Sequence, residues 1–387
     1  MALNPLIQLS PVRSLNFLKA TFAALALITL FHSTGDGQPA GNGLLASQTR
    51  PFDAKLAPMQ LHAGGTNVLN AKGDPVRLYG VNIASLEYRT DGDHVQESVN
   101  RAISDWHVNF IRLPLAQDRW FGKMKDQTDG GAAYRATVDH IADTCAAAQV
   151  YIDLDLHWSD CGEWVNDGGR LGQHNMPDQN SVVFWHDLAT RYKNHPYVIF
   201  GLYNEPHDVS WEVWRNGGTV TDIPPRWNPD QTKMTYEAVG MQKLYDTVRA
   251  AGAENIVTVG GLDWAYDLSG VLQGYAITGT NYVYETHPYP NKKDWDKCFG
   301  AVSAKYPVYV GEWGFGGRNM GGTNGLPYGQ RLMDYIKAHG IPMWTAWDFS
   351  ATAGPTMFKN WLYEPTAFGE FVGKQLAEAA AAHGSKN

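Results

Sequence analysis

Two carboxylates in this 387-residue chain stand where chemistry can be done. Glu205 follows the run Val198–Tyr203 and Asn204, and Pro206 turns the chain away after it. Glu312 follows a second β-rich run from Pro307, with Gly311 before it and Trp313 after it. Other polar or aromatic residues close similar runs: Arg112, His157 with Trp158, His287 with Tyr289, and Trp347. Each has a plain structural explanation by itself. A strand-end His is commonly just hydrogen-bonded, Asn-Glu-Pro can be a turn start, and Arg112 can be a core counter-ion. Together they require six coincidences at one set of strand ends, and a site is the simpler reading. Two close carboxyls cannot both ionise freely, so one stays protonated as an acid. The other, kept anionic by an Arg and a Tyr hydroxyl, can attack an electrophilic carbon. Cleavage of a glycosidic bond with retention uses this pair, at about 5–5.5 Å separation.

Other acids compete. Asp160, Glu163, Asp263, Glu285 and Asp348 also fall near run ends. Asp153 and Asp155 alternate with His157 and therefore face the same side. Asp155, His157 and His287 are the residues from which a metal site could be built. No H-E-x-x-H or other barrel metal motif accompanies them, so no metal is expected. Neither a G-x-G-x-x-G nor a P-loop pattern follows any run, which removes the main support for a nucleotide cofactor.

The elements that must position these residues alternate. The β-rich runs are Leu78–Ile83, Asn109–Leu115, Val150–Trp158, Val198–Glu205, Asn255–Gly261, Tyr282–Tyr289, Pro307–Trp313 and Pro342–Phe349. Amphipathic stretches lie between them: His94–His107, Tyr134–Gln149, Ser181–Asn194, Lys233–Ala251 and Tyr328–His339, with Trp361–Ala382 as a final helix. A hairpin within Leu61–Tyr79 precedes the first run. Eight strands with intervening helices predict an α/β fold, a single (β/α)8 barrel whose site sits at the C-terminal strand ends.

The run Val198-Ile199-Phe200-Gly201-Leu202-Tyr203-Asn204-Glu205-Pro206-His207 resembles the cellulase signature of glycoside hydrolase family 5 at all ten positions. Arg112, His157, His287 with Tyr289, Glu312 and Trp347 match the family's other characteristic positions in order. The resemblance covers roughly residues 60–370. It implies Glu205 as acid/base, Glu312 as nucleophile and Asn204 as partner of the 2-hydroxyl of the cleaved sugar. Arg112 and Tyr289 would hold Glu312, and His287 would sit near Glu205. His157 would bind a sugar hydroxyl and Trp347 would stack under the sugar. No metal or organic cofactor is implied. The commonest family activity is endo-β-1,4-glucan cleavage. Mannan, xyloglucan and other β-glucans are alternative substrates, and transglycosylation uses the same residues. A non-catalytic carbohydrate-binding barrel is the alternative of another class, and the presence of both Glu speaks against it.

Fourteen Trp are more than a core of this size usually needs. Ten follow strand ends: 120, 158, 164, 211, 214, 227, 264, 295, 313 and 347. Sugar rings present C–H groups to aromatic faces, so these residues outline a polysaccharide cleft, with Trp158 and Trp264 as candidate contacts. About half are expected to be loop anchors instead. Trp106, Trp185, Trp344 and Trp361 are expected in the core. The loops reaching to Gln179 and Thr232 are long enough to be functional, and Trp211, Trp214 and Trp227 on the second are candidates for outlying subsites.

Residues 1–35 hold Arg13 and Lys19, no acid, and the apolar run Ala20–Phe31. Twelve residues are too few to span a bilayer, and the pattern predicts an export signal. A secreted or periplasmic protein follows, or one anchored by an uncleaved segment. Residues 36–55 have spacer composition, and 56–387 form the catalytic domain. The formal net charge of −8 disfavours nucleic acid as a partner, and no stable protein partner is implied. Of three Cys, Cys145 is expected buried and free, while Cys161 and Cys298 could pair in an exported protein.

Overall fold

The computed structural model describes residues 49–52, 57–223, 232–316 and 325–384. The expected export signal, most of the spacer and Trp227 lie outside these residues. Eight strands form a closed parallel barrel: β1 Leu78–Asn82, β2 Phe110–Ala116, β3 Tyr151–Trp158, β4 Val198–Gly201, β5 Val257–Gly260, β6 Tyr282–Thr286, β7 Val308–Val310 and β8 Met343–Ala346. Each pairs with the next, and β8 closes on β1 through Met343 opposite Leu78. Among the described residues, six helices of ten or more residues surround it: α1 Val95–Ser104, α2 Ala132–Ala147, α3 Gln179–Tyr192, α4 Met241–Ala250, α5 Leu326–Ala338 and α6 Ala367–Gly384. Between β5, β6 and β7 the connections shrink to a 3-10 turn, Ser269–Gln273, and a π-helical turn, Asp296–Gly300. Among the described residues, no helix is long and apolar enough to cross a membrane.

Several strands stop earlier than their apolar runs. β4 ends at Gly201, yet Asn204 N still donates to Leu156 O at 3.0 Å and Leu202 N to Thr258 O at 3.1 Å. Individual bonds to neighbouring strands thus hold the rim residues after the regular ladder ends. Helix packing follows pattern: α1 buries Val95, Ser98, Val99 and Ala102, one face of a helix. Asp178 caps α3 by accepting from Ser181 N at 3.1 Å, with the Ser181 hydroxyl answering Asp178 N. Trp185 of α3 then donates to Leu202 O at 2.9 Å, which steadies the chain leading to Glu205.

Several expectations change. Lys233–Ala251 is not one helix, because Met234–Ala238 pairs antiparallel with Gly218–Asp222 and α4 begins only after Gly240. Met234–Ala238 alternates buried and exposed residues, and this period with its Thr-Tyr content suits a ribbon, so the pairing overrides the helical reading. The last helix starts at Ala367 instead of Trp361, since Phe358 and Pro365 pair antiparallel and the chain between them makes a turn, with Tyr363 at φ 61°. Trp361 is half-buried in that turn and stacks on His94 instead of entering the core. The N-terminal hairpin gains a third strand: Leu61–Gly64, Asn67–Asn70 and Pro75–Val76 form a meander, and Ala63 N bonds Asn281 just before β6. Residues 49–52, of spacer composition, lie against the barrel, where Phe52 packs on His195 and Tyr197.

Candidate active site

The upper interior of the barrel is polar. Asn82, Arg112, Asp153, Asp155, Thr258, Glu285 and Thr345 are all at most 1% exposed. Arg112, at the middle of β2, is the hub. Its Nη1 donates to Glu312 Oε1 at 2.9 Å and Asn82 Oδ1 at 3.0 Å, and its Nη2 donates to Asn204 Oδ1 at 2.8 Å. It also lies 3.1 Å from Asp155 Oδ1 and 3.1 Å from Glu285 Oε1, as ion pairs too oblique for hydrogen bonds. Burial works against its charge, but Asp155, Glu285 and Glu312 hold its pKa well above the usual value.

Glu312 also accepts from the Tyr289 hydroxyl at 2.8 Å. Burial pushes the Glu312 carboxyl up, and Glu205 adds to the rise against the pull of His287 and Arg112. The two bonds it accepts, one of them from a permanent cation, are those that an anion makes. Glu205 sits opposite, its side chain 16% exposed, and His287 Nδ1 meets its Oε1 at 2.9 Å. One oxygen of each carboxylate and a His287 nitrogen all lie within 4.8 Å of one another. Burial alone would lower His287, but the field of Glu312 and the bonds to Glu205 and Glu285 carry it up to about 10. The imidazolium therefore supplies the positive charge this cluster needs.

His157 behaves oppositely. Burial pushes it down to about 3, so it is neutral. Its Nδ1 meets Asp155 Oδ2 at 2.7 Å, and its Nε2 meets the Asn204 amide at 3.2 Å. Both ring nitrogens are thus engaged within the protein, and its first effect is to hold Asn204. Trp347 stacks over His157 at 5.2 Å and packs with Ala84 and Tyr289. Eight of the ten expected residues therefore meet in one connected group. The other two flank it. Trp158 is half-buried and tilted toward Tyr88 at 6.3 Å. Trp264 is 41% exposed, stacks on His207 at 3.6 Å, and donates its backbone N–H to Pro206 O beside Glu205. Asp263, Trp264 and Ala265 all have positive φ, a tight left-handed turn closed by reciprocal Leu262–Asp267 bonds.

The sequence reading missed Asn82 and Gln173. Asn82 bonds Gly311 O at 2.9 Å as well as Arg112, linking β1 to the residue before Glu312. Gln173 Oε1 accepts from the Asn204 amide at 2.9 Å, and its Nε2 donates to Glu205 O at 3.0 Å. A polar end to the first apolar run was the available signal for Asn82. Gln173 comes from a long loop with no signal.

The competing acids separate. Glu163 and Asp263 are exposed, and Asp263 pairs with Lys292 at 2.9 Å. Asp348 is buried with Ser350, and burial pushes it well up. Asp160 is buried just past the end of β3, where its backbone N–H donates to Asp178 Oδ2 at 3.2 Å. The trio Asp155, His157 and His287 does not form a metal-sized cluster among the described residues; Asp155 is used by Arg112 and His157. Cys161, His174 and Asp222 do cluster, but Asp222 is already paired with Arg170 and His174. The possible Cys161–Cys298 disulfide does not form: all three cysteines are free, and Cys161 is buried at the Asp222 cluster while Cys298 sits by Tyr266 and Lys293.

The indoles also divide. Trp120, Trp214 and Trp313 are fully buried and Trp295 nearly so. Trp214 donates to Gly260 O at 2.8 Å, so it anchors its loop and offers no subsite. Trp211 packs edge-on against Trp214 at 5.0 Å and so closely on Gly270 that a Cβ there would lie 2.1 Å from its ring. The reading of Trp214 as an outlying subsite is therefore corrected, while Trp211 is half-buried.

A family model described as cellulase (glycosyl hydrolase family 5) matches residues 69–353. Endoglucanase N of Pectobacterium atrosepticum is 25% identical over 337 residues, covering 83% of this chain and 66% of that protein. Endoglucanase MaCel5A of Microbulbifer sp. (strain ALW1) is 25% identical over 305 residues, covering 75% of this chain and 51% of the other. The chain thus spans half to two thirds of the length of these relatives. In fold it resembles the β-glucanase SdGluc5_26A from Saccharophagus degradans, with a TM-score of 0.66 at 23% identity over 88% of this chain and 98% of that one.

Proposed function

Because the chain belongs to the cellulase family, glycosyl hydrolase family 5, we propose that it is a retaining endo-β-1,4-glucanase working by double displacement. One observation carries this reading: Glu205 and Glu312 bring carboxylate oxygens within 4.8 Å of each other across a rim lined by Trp347 and Asn204. Inverting pairs stand ~6.5–9.5 Å apart to admit a water, so the spacing supports retention. Glu312, held by Arg112 and Tyr289, attacks the anomeric carbon as Glu205 gives its proton to the departing glycosidic oxygen. The glycosyl–Glu312 ester forms as that C–O bond breaks. Glu205 then takes a proton from water, whose oxygen attacks the same carbon and releases Glu312. Asn204, fixed by Arg112, Gln173 and His157, is placed for the sugar hydroxyl next to the reacting carbon.

The glucan assignment draws support from the relatives, which are endoglucanases, and from the fold likeness to a β-glucanase. A polysaccharide substrate and the basic-apolar leader both suit export. Carboxymethyl-cellulose, mixed-linkage glucan, xyloglucan and mannan assayed side by side test the substrate; clear preference for mannan overturns the glucan reading. Proton NMR of the first product should show the β anomer. Glu205→Gln and Glu312→Gln should each lower hydrolysis of a glucan by at least ~10³-fold, and unchanged turnover in either removes that residue from its role.

A further inference from the structure

Glu285 is a buried carboxylate that the two-carboxylate mechanism does not use. It lies one alternation before His287 on β6 and is 1% exposed. Its Oε1 is 3.0 Å from His287 Nε2 and 3.1 Å from Arg112 Nε, and the Thr258 hydroxyl donates to its Oε2 at 2.8 Å. The two cations it touches are the two that hold the paired carboxylates: Arg112 bonds Glu312 and His287 bonds Glu205. We propose that Glu285 is a positioning residue that keeps His287 as an imidazolium with its Nδ1–H aimed at Glu205, and so tunes how readily the acid/base releases its proton. This rests on the reading of Glu205 as acid/base.

The geometry allows little else. A carboxylate at Nε2 can only accept, so Nε2 must carry a proton. If Nδ1 is also to donate to Glu205 after proton transfer, the ring must be doubly protonated. His287 is faced by Glu205, Glu285 and Glu312, the last at 3.7 Å, and at longer range by Arg112 and His157. Glu285 is faced by Arg112, His287 and Thr258, with Asp153, Asp155 and Tyr309 beyond. Burial would raise Glu285, but Arg112 and His287 overcome it and hold the carboxyl below its usual range. Asp153 next to it goes the other way: burial and the charge of Glu285 push it well up, so Asp153 adds no second negative charge. One net charge of Glu285 thus acts on the ring. When Glu205 has given up its proton, the imidazolium faces the new carboxylate and stabilises it. Without that charge the proton is held more tightly.

The test is Glu285→Gln in the full chain, which keeps an acceptor for Nε2–H but removes the charge. The alkaline limb of the kcat/KM profile should move up by roughly 0.5–1 pH unit, because His287 now gives up its charge more readily and the acid keeps its proton longer. Glucan turnover near neutral pH should fall about tenfold with KM little changed. Aryl cellobiosides with a good leaving group, which need less proton donation, should lose much less. Glu285→Asp, which keeps the charge, should return the limb toward the wild-type position. A folded Glu285→Gln enzyme with an unmoved limb and equal losses on both substrates overturns the proposal. If that variant does not fold, 15N spectra of the wild-type imidazole decide: His287 neutral at pH 7 overturns it and doubly protonated supports it. Failure of Glu205→Gln to abolish hydrolysis would instead strike the underlying reading.

Discussion

At the scale of single residues, Arg112 does the most. Its guanidinium faces Glu312, Asn82, Asn204, Asp155 and Glu285 at once, and it is fully buried. Only a planar fork with five donors in fixed directions can serve that many acceptors. Lysine at this position would keep the charge but reach one or two of them. Arg112→Lys should therefore lower kcat on the order of 10²-fold, as loss of an oriented donor does, with a smaller change in KM. Steady-state kinetics on one soluble glucan read both. Turnover within a fewfold of wild type would show that charge alone suffices. His157 and His287 make the complementary point. The same side chain is neutral near Asp155 and Asn204 and charged between Glu205 and Glu285, so its neighbours decide what it can do.

At the scale of elements, the strand ends carry the site, and their small residues matter as much as their polar ones. Gly311 follows β7 and precedes Glu312. A Cβ built on Gly311 would lie 1.9 Å from Glu285 Oε1, so even alanine must displace that carboxylate or the strand end. Gly311→Ala should cost about 1–3 kcal/mol, the usual range for overpacking, and lower kcat as well, because the displaced groups adjoin Glu312 and His287. Urea unfolding and kcat measured together check this. A stable variant with full activity would mean that β7 has room to move. The same tight fit explains what the sequence hid. Met234–Ala238 looks helical in isolation and becomes a ribbon only because Gly218–Asp222 lies beside it. Trp211 and Trp214 look like cleft residues by position, yet the loop turns them inward onto Gly270 and Gly260.

At the scale of the molecule, the interior holds several carboxyls in the neutral form. Burial pushes Glu87 up to about 8, and burial with the neighbouring Asp178 pushes Asp160 up to about 10. The unfolded chain binds these protons only below about pH 4. Such a group stabilises the fold fully below its unfolded pKa and loses that contribution as pH rises toward its folded pKa. For Asp160 the window runs from about 4 to about 10. Asp160→Asn keeps a donor toward Asp178 without a proton to lose. Its melting temperature relative to wild type should therefore be higher at pH 8 than at pH 5, by about 2 °C or more. A difference that is the same at both pH values would show that Asp160 is ionised in the folded protein.

The barrel, and Glu205 and Glu312 as candidates for the reacting groups, were legible in the chain alone. Both are local facts: apolar runs of strand length alternate with helical stretches, and the polar residue types follow the runs in order. Even the shared face of Asp153, Asp155 and His157 came from alternation alone, and all three are buried on that side. Which acids meet, the link that Glu285 makes between the two cations, the bracing by Asn82 and Gln173, and the burial of each indole emerge only in the folded molecule. These outcomes depend on distances between strands that are far apart in the chain. Closing the barrel sets those distances, and no local pattern encodes them.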